Sequence, residues 1–330
     1  MFGVADTVNR WGAGMMSCYV ALTALTGRVC PHELGEAAAA LQIQVLRDFF
    51  PEWGVSAVVS AASFDAIPAG AVPIIVHDAL NDAAANGFHR TYRDDTPYVL
   101  VPYGPNWPLA ASHELLRMLA NPSGSARVAG QSRMYGQGTV EYLLDVCAPC
   151  QDITASYAID GVAVSDFCNR ACFGGSGVAT SYTGAVRKAF EPVANGIVTW
   201  LADDDLVYQA RADRVGQIRV HGGFSTASRG RMLLREMVDI LTPDRLPQLS
   251  NAPRTPLLLE AEQNSQRAHV TNMKRFREEI AWRFGEAPVR ASGIEPPRKS
   301  RRPSSNVFAH LAPSPPRMTD NPQVTVRSTS

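Results

Sequence analysis

The amino-acid sequence predicts an α+β protein, on three observations. Short β-branched runs such as Val55 to Ser60 and Val72 to Val76 alternate with amphipathic helical stretches rather than forming one class throughout. Hydrophobic residues make up 45% of the 330 residues and charged residues 19%, which is a globular balance and excludes a collagen, a coiled coil or a wholly disordered chain. The helical pattern is concentrated after residue 226, so strands and helices are partly segregated along the chain.

The elements follow in order. Met15 to Leu25 is an apolar run ended by Arg28-Val-Cys-Pro31 and reads as a first strand. Pro31 suits the first turn of a helix, and Glu33 and Glu36 favour its positive end. Leu34, Ala38, Leu41, Val45 and Phe49 then recur at helical spacing, which predicts an amphipathic helix ending at Pro51. Strands over 55–60 and 72–76 come next, followed by Pro97 to Tyr103, whose prolines at both ends suit an edge position. A second helix runs from about Pro108 to Leu119 and stops at Asn121-Pro122-Ser-Gly124.

Gly124 to Gly138 reads as a surface loop, Val140 to Cys147 as a strand, and Ile153 to Val164 as strands joined at the tight-turn pair Asp160-Gly161. Cys168 to Tyr182 is rich in Gly and Ser and reads as a loop. Ile197 to Trp200 and Leu206 to Ala210 fit a hairpin around Asp203-Asp204-Asp205, with a further strand near Ile218 to Val220. Helical pattern follows at about 229–241 and 257–284. The expected organisation is thus a core over residues 1–225, a helical extension over 226–285 and a disordered Pro/Ser/Arg-rich tail over 286–330.

Charge and motifs exclude several functions. The 31 basic and 31 acidic residues leave no net charge, so duplex nucleic acid is a poor partner overall, although Arg298-Lys-Ser-Arg-Arg302 forms one basic cluster in the tail. No run of about 18 uncharged apolar residues is present, so no membrane-spanning helix is expected. Gly12 to Gly27 makes a poor secretory signal, with only Arg10 leading it, and a cytoplasmic site is preferred over export. There is no phosphate-binding G-x-x-x-x-G-K-[ST] loop, and Gly174-Gly-Ser-Gly177 lacks the G-x-S-x-G spacing of a hydrolase nucleophile.

The chemistry concentrates in Ala111-Ser-His-Glu-Leu-Leu-Arg-Met-Leu-Ala-Asn-Pro122. A His-Glu pair on a helix opens the zinc-peptidase pattern H-E-x-x-H, in which a second ligand one turn later shares the metal and the Glu activates a metal-bound water. Arg117 occupies that later position, and a guanidinium has no lone pair to offer.

The stretch nevertheless resembles a family of predicted, zincin-like metallopeptidases with the motifs S-H-E-x-x-E-x-x-x-D-P and E-V-x-D-P, and more loosely the phosphate-induced secreted proteins. The likeness rests on Ser112, His113, Glu114, Leu115 and Pro122, on Val146, Pro149 and Cys150, and on Tyr157-Ala-Ile-Asp-Gly-Val162 with Val164-Ser-Asp-Phe167. It extends upstream to Ala40-Leu-Gln-Ile-Gln-Val45, Pro51-Glu-Trp-Gly54 and Gly87-Phe-His89, covering about residues 15–225. The resemblance implies a mixed sheet beside an active-site helix, Glu114 as general base, and His113, Asp145 and, outside the motif, His89 as metal ligands. It also implies loss, because Arg117, Asn121 and Ala148 stand where the family has acidic residues.

Two functions therefore remain open. One is a metallopeptidase-like protein with impaired or lost hydrolase activity, in which Arg117 supplies the missing metal's positive charge and bridges Glu114 or Asp145. The other is a non-catalytic protein whose cleft holds a peptide or protein partner, with Arg117 free to meet a carboxylate. A separate zinc site is conceivable at Cys147-x-x-Cys150 and Cys168-x-x-x-Cys172, which lie seventeen residues apart; two disulfides, or buried thiols that never meet, are the alternatives. Oligomeric state is not legible.

Overall fold

The computed structural model describes residues 18–78, 87–91, 96–203, 205–225, 238, 249–251 and 253–284, and it is an α+β fold. The expected helix at 229–241, apart from Val238, and the tail after residue 285 lie outside the described residues. By contacts the chain divides into a unit over Met1–Phe276 and a second over Arg277–Ser330.

Five strands form a mixed sheet in the order β2-β1-β3-β5-β4: β1 (Cys18–Ala24), β2 (Ala57–Ala61), β3 (Val72–His77), β4 (Phe88–Thr91) and β5 (Pro97–Pro102). All neighbours are parallel except β4, which runs antiparallel to β5 at the edge. The inner strands read as continuous apolar runs because parallel strands are covered on both faces; Val72 through Val76 are all buried. β5 is an inner strand rather than the expected edge. Its two prolines fall at its ends, opposite Thr91 and His77, where a missing backbone N–H interrupts little of the ladder. The edge strand beyond it is β4, which at four residues is too short and too polar to show in the pattern; β2 forms the opposite edge.

Between β1 and β2 the chain forms α1 (Pro31–Ile43), with Pro31 at its start and the Cys30 sulfur accepting the Glu33 N–H. The helix does not stop at Pro51. It loosens into a π-helical turn over Gln44–Phe49 and then tightens into α2 (Phe50–Trp53), where Pro51 is tolerated in the first turn. The terminator is Gly54, in the left-handed region at φ 68°, whose N–H bonds back to Phe50 O.

A second sheet, antiparallel throughout, has the order β12-β11-β10-β7-β6. It comprises β6 (Arg127–Gln131), β7 (Thr139–Leu143), β10 (Ile197–Leu201), β11 (Leu206–Ala212) and β12 (Ile218–Ser225). The expected loop at 124–138 therefore contains a strand, β6, while the hairpin of β10 and β11 forms as the alternation predicts. A small hairpin of β8 (Tyr157–Ile159) and β9 (Val162–Val164) turns at Asp160 and Gly161, both at positive φ as a tight two-residue turn requires.

The helix that carries the motif, α3 (Trp107–Ala120), has only Pro108 partly exposed and packs against β3, β4, β5 and β9. A helix enclosed on every side must satisfy any charge it carries from within the protein. The first turns of α4 (Arg254–Phe284) join the same core through Leu257 and Ala261, and Asn264 Nδ2 donates to Thr154 O and Ser156 O at 2.6 and 2.7 Å. Among the described residues no helix is long and apolar enough to cross a membrane.

Candidate functional site: a buried ion cluster on helix α3

Three elements bring the motif residues together. α3 supplies His113, Glu114 and Arg117, β4 supplies His89, and the segment after β7 supplies Asp145. Glu114 and Arg117 are one helical turn apart, a spacing that places them on neighbouring positions of one face. Arg117 Nη1 donates to Glu114 Oε1, and its Nε faces Asp145 Oδ1 at 3.2 Å. The second oxygen of Glu114 meets His89 Nδ1 at 3.3 Å.

On its other side, His89 Nε2 lies 3.2 Å from Asn121 O, a carbonyl that can only accept. Asp145 Oδ1 also accepts the backbone N–H groups of Cys147 and Ala148, so the same carboxylate caps the following short turn. Every carboxylate oxygen named here is thus engaged by this chain's own donors.

The cluster is sealed. Glu114 is 0% exposed, His113 3%, His89 and Arg117 5%, and Asp145 8%. Burial is the largest single influence and disfavours the ionised Glu114, but the Arg117 guanidinium, the His89 hydrogen bond and the neighbouring imidazoles together outweigh it and hold the carboxyl down at about 2. His113 moves to about 4, because burial and the Arg117 charge both disfavour the imidazolium. Ser165 Oγ donates its hydrogen to Asp166 O, so it accepts from His113 Nδ1 at 3.3 Å and leaves Nε2 as the basic nitrogen.

Two of the positions at which the resemblance implies an acidic residue have structural work in this chain. Asn121 Nδ2 donates to Leu144 O while its Oδ1 accepts from Ala126 N, a pair of roles that a carboxylate could not fill together. Ala148 N–H is one of the donors on Asp145. Arg117, expected either to bridge carboxylates or to await a partner's carboxylate, takes the bridging position and is closed off from solvent. The pocket that reaches Asp145, lined also by Tyr142, Pro149, Phe173, Phe190 and Val238, does not include His113, Glu114 or Arg117.

A second polar network, not foreseen as a site, braces this one. Gln44, drawn inward by the π-helical turn, donates to Tyr157 OH and Ser165 O and accepts from Ser112 Oγ at 2.7 Å. Ser112 Oγ in turn accepts the Ser165 N–H, and Asp48 accepts from Tyr157, Tyr182 and Arg47. Nearby Asp166 is pushed up to about 6 by burial, although Thr183 and the Phe167 N–H donate to it. The readable signal was adjacency: Ser112 precedes His113, and Ser165 and Asp166 lie inside one of the matched motifs. Gln44 lies inside the matched stretch Ala40–Val45 and Asp48 just beyond it, but nothing in the pattern there marked either side chain as a hydrogen-bonding centre.

The cysteines divide three to one. Cys150 Sγ and Cys168 Sγ are 3.9 Å apart, and the Cys172 thiol lies beside Cys168 and donates to Thr180 O. Cys147 instead interacts with Ser165 and with the charges of Asp145 and Arg117. Among the described residues, no group of three or more His, Cys, Asp or Glu is placed to hold a metal ion. Comparison with protein-family models, with curated proteins and with solved structures found no match to the chain.

Proposed function

We propose that the protein is a non-catalytic, metallopeptidase-like scaffold in which Arg117 stands where a hydrolase of this type would carry its metal ion. What carries the reading is the buried guanidinium between Glu114 and Asp145. A fixed cation there compensates two carboxylates that would otherwise repel each other and resist burial. Water activation asks Glu114 for a free, basic oxygen. One oxygen is bound by Arg117, the other faces His89, and the carboxyl is held at low pKa, the opposite of what a general base at neutral pH requires.

Burial of all five side chains supports a structural role over a binding cleft at this position, and any peptide or protein partner is assigned to the surface outside the cluster. The test is a peptidase assay with zinc supplied, on wild type, Glu114→Gln, His113→Ala and Arg117→Glu. No hydrolysis by wild type above the Glu114→Gln background is expected. Hydrolysis that requires both Glu114 and His113 would overturn the reading.

A further inference from the structure

The inner cysteines meet across the grouping that the chain suggests as well as within it. The sequence groups Cys147 with Cys150 and Cys168 with Cys172; in space the Cys168 sulfur has the Cys172 thiol beside it and also faces, across the two motifs, the Cys150 sulfur at 3.9 Å, with Cys150 and Cys168 at most 1% exposed. Cys150 closes the 3-10 turn over Ala148–Cys150, and Cys168 follows β9, tethered by its N–H to Val146 O and by its carbonyl to the Trp53 indole. We propose that Cys150 and Cys168 are the sites of a latent disulfide, formed across the two motifs when the chain folds in the presence of a small-molecule disulfide of the glutathione type.

The exchange balances in two steps. One protein thiol, losing its proton, attacks the small disulfide and displaces a small thiolate, leaving a mixed disulfide. The second protein thiol, also losing its proton, attacks that mixed bond and displaces the other small thiolate. Two protein thiols are oxidised to one disulfide, one small disulfide is reduced to two thiols, and the two protons end on the released thiolates. A disulfide needs a sulfur separation of about 2.05 Å, so about 2 Å must close. Cys168 is anchored, and the short turn carrying Cys150 is the element that gives.

Burial pushes both thiols well above the ordinary range, which makes them poor nucleophiles in the closed fold. Pairing is therefore expected during folding rather than by attack on the finished structure. The bond would close the loop that contains the hairpin of β8 and β9 together with Ser165, the residue that accepts from His113.

The experiment is refolding of the full, reduced chain in glutathione buffers of increasing oxidising ratio, with alkylation of free thiols and non-reducing peptide mapping by mass spectrometry. The expected result is a cross-linked peptide containing Cys150 and Cys168, Cys147 alkylated, and a melting temperature raised by about 5–10 °C over the reduced form. Pairing within the sequence motifs, Cys147 with Cys150 or Cys168 with Cys172, overturns the proposal. So does full alkylation of Cys150 and Cys168 at the most oxidising ratio.

Discussion

Replacing Arg117 by methionine keeps much of the side chain's length but removes the charge, and it leaves Glu114 and Asp145 facing each other without it. The size of the loss can be worked from Glu114. A buried carboxyl held at about 2 instead of its ordinary 4.5 has its ionised form favoured by about 3 kcal/mol, at about 1.4 kcal/mol per pH unit. Removing one partner of a buried pair costs about 3–5 kcal/mol generally, which agrees. Because Glu114 is fully buried, solvent screening does not reduce the figure. Its folded pKa is depressed, so this stability is present above pH 4.5 and lost as pH falls through about 2. The assay is denaturant unfolding at pH 7, where Arg117→Met is expected to lose about 3 kcal/mol and Arg117→Met with Glu114→Gln to recover part of it. A loss under about 1 kcal/mol for the single variant, which is what an exposed ion pair gives, would refute the reasoning.

Three further outcomes are expected. His113, lowered to about 4, contributes stability that is complete above pH 6.5 and lost as pH falls from there through about 4. The pH dependence of unfolding over that window is therefore expected to flatten in His113→Gln. Asp166, raised to about 6, acts in the opposite sense, stabilising below pH 3.8 and losing that contribution as pH rises through about 6, so Asp166→Asn is expected to remove a rise in stability on acidification between those values. Gln44→Ala strips partners from Tyr157, Ser165 and Ser112 in a site closed to water, and calorimetry is expected to show a loss of about 2–4 kcal/mol. If Gln44→Ala melts like wild type, the network is not bracing the cluster.

The legible parts of the fold were those whose pattern comes from local alternation or from turn chemistry: β1, β3, the hairpin at Asp160-Gly161, the hairpin of β10 and β11, and α3. What escaped was set by distant partners. The π-helical turn at Gln44–Phe49 turns Gln44 towards Tyr157 and Asp48 towards Tyr182, residues more than a hundred positions away. β4 and β6 are short and polar, and their strand character comes from pairing with β5 and β7 rather than from their own side chains. In the site, His113, Glu114 and Arg117 declared themselves by spacing on one helix; Asp145 entered only through the resemblance, and charge suggested that Arg117 would bridge it or Glu114. Cysteine spacing could not say which sulfurs meet across the two motifs, because the approach of Cys168 to Cys150 depends on how the segment after β9 returns to the turn that carries Cys150.

The central claim, that a guanidinium occupies the place of a metal, is tested most directly by the zinc content per chain of protein purified without added metal, for wild type beside His113→Ala. The account predicts no zinc whose retention depends on His113. One zinc per chain in wild type, lost in His113→Ala, would contradict it and return Glu114 to the role of a catalytic base.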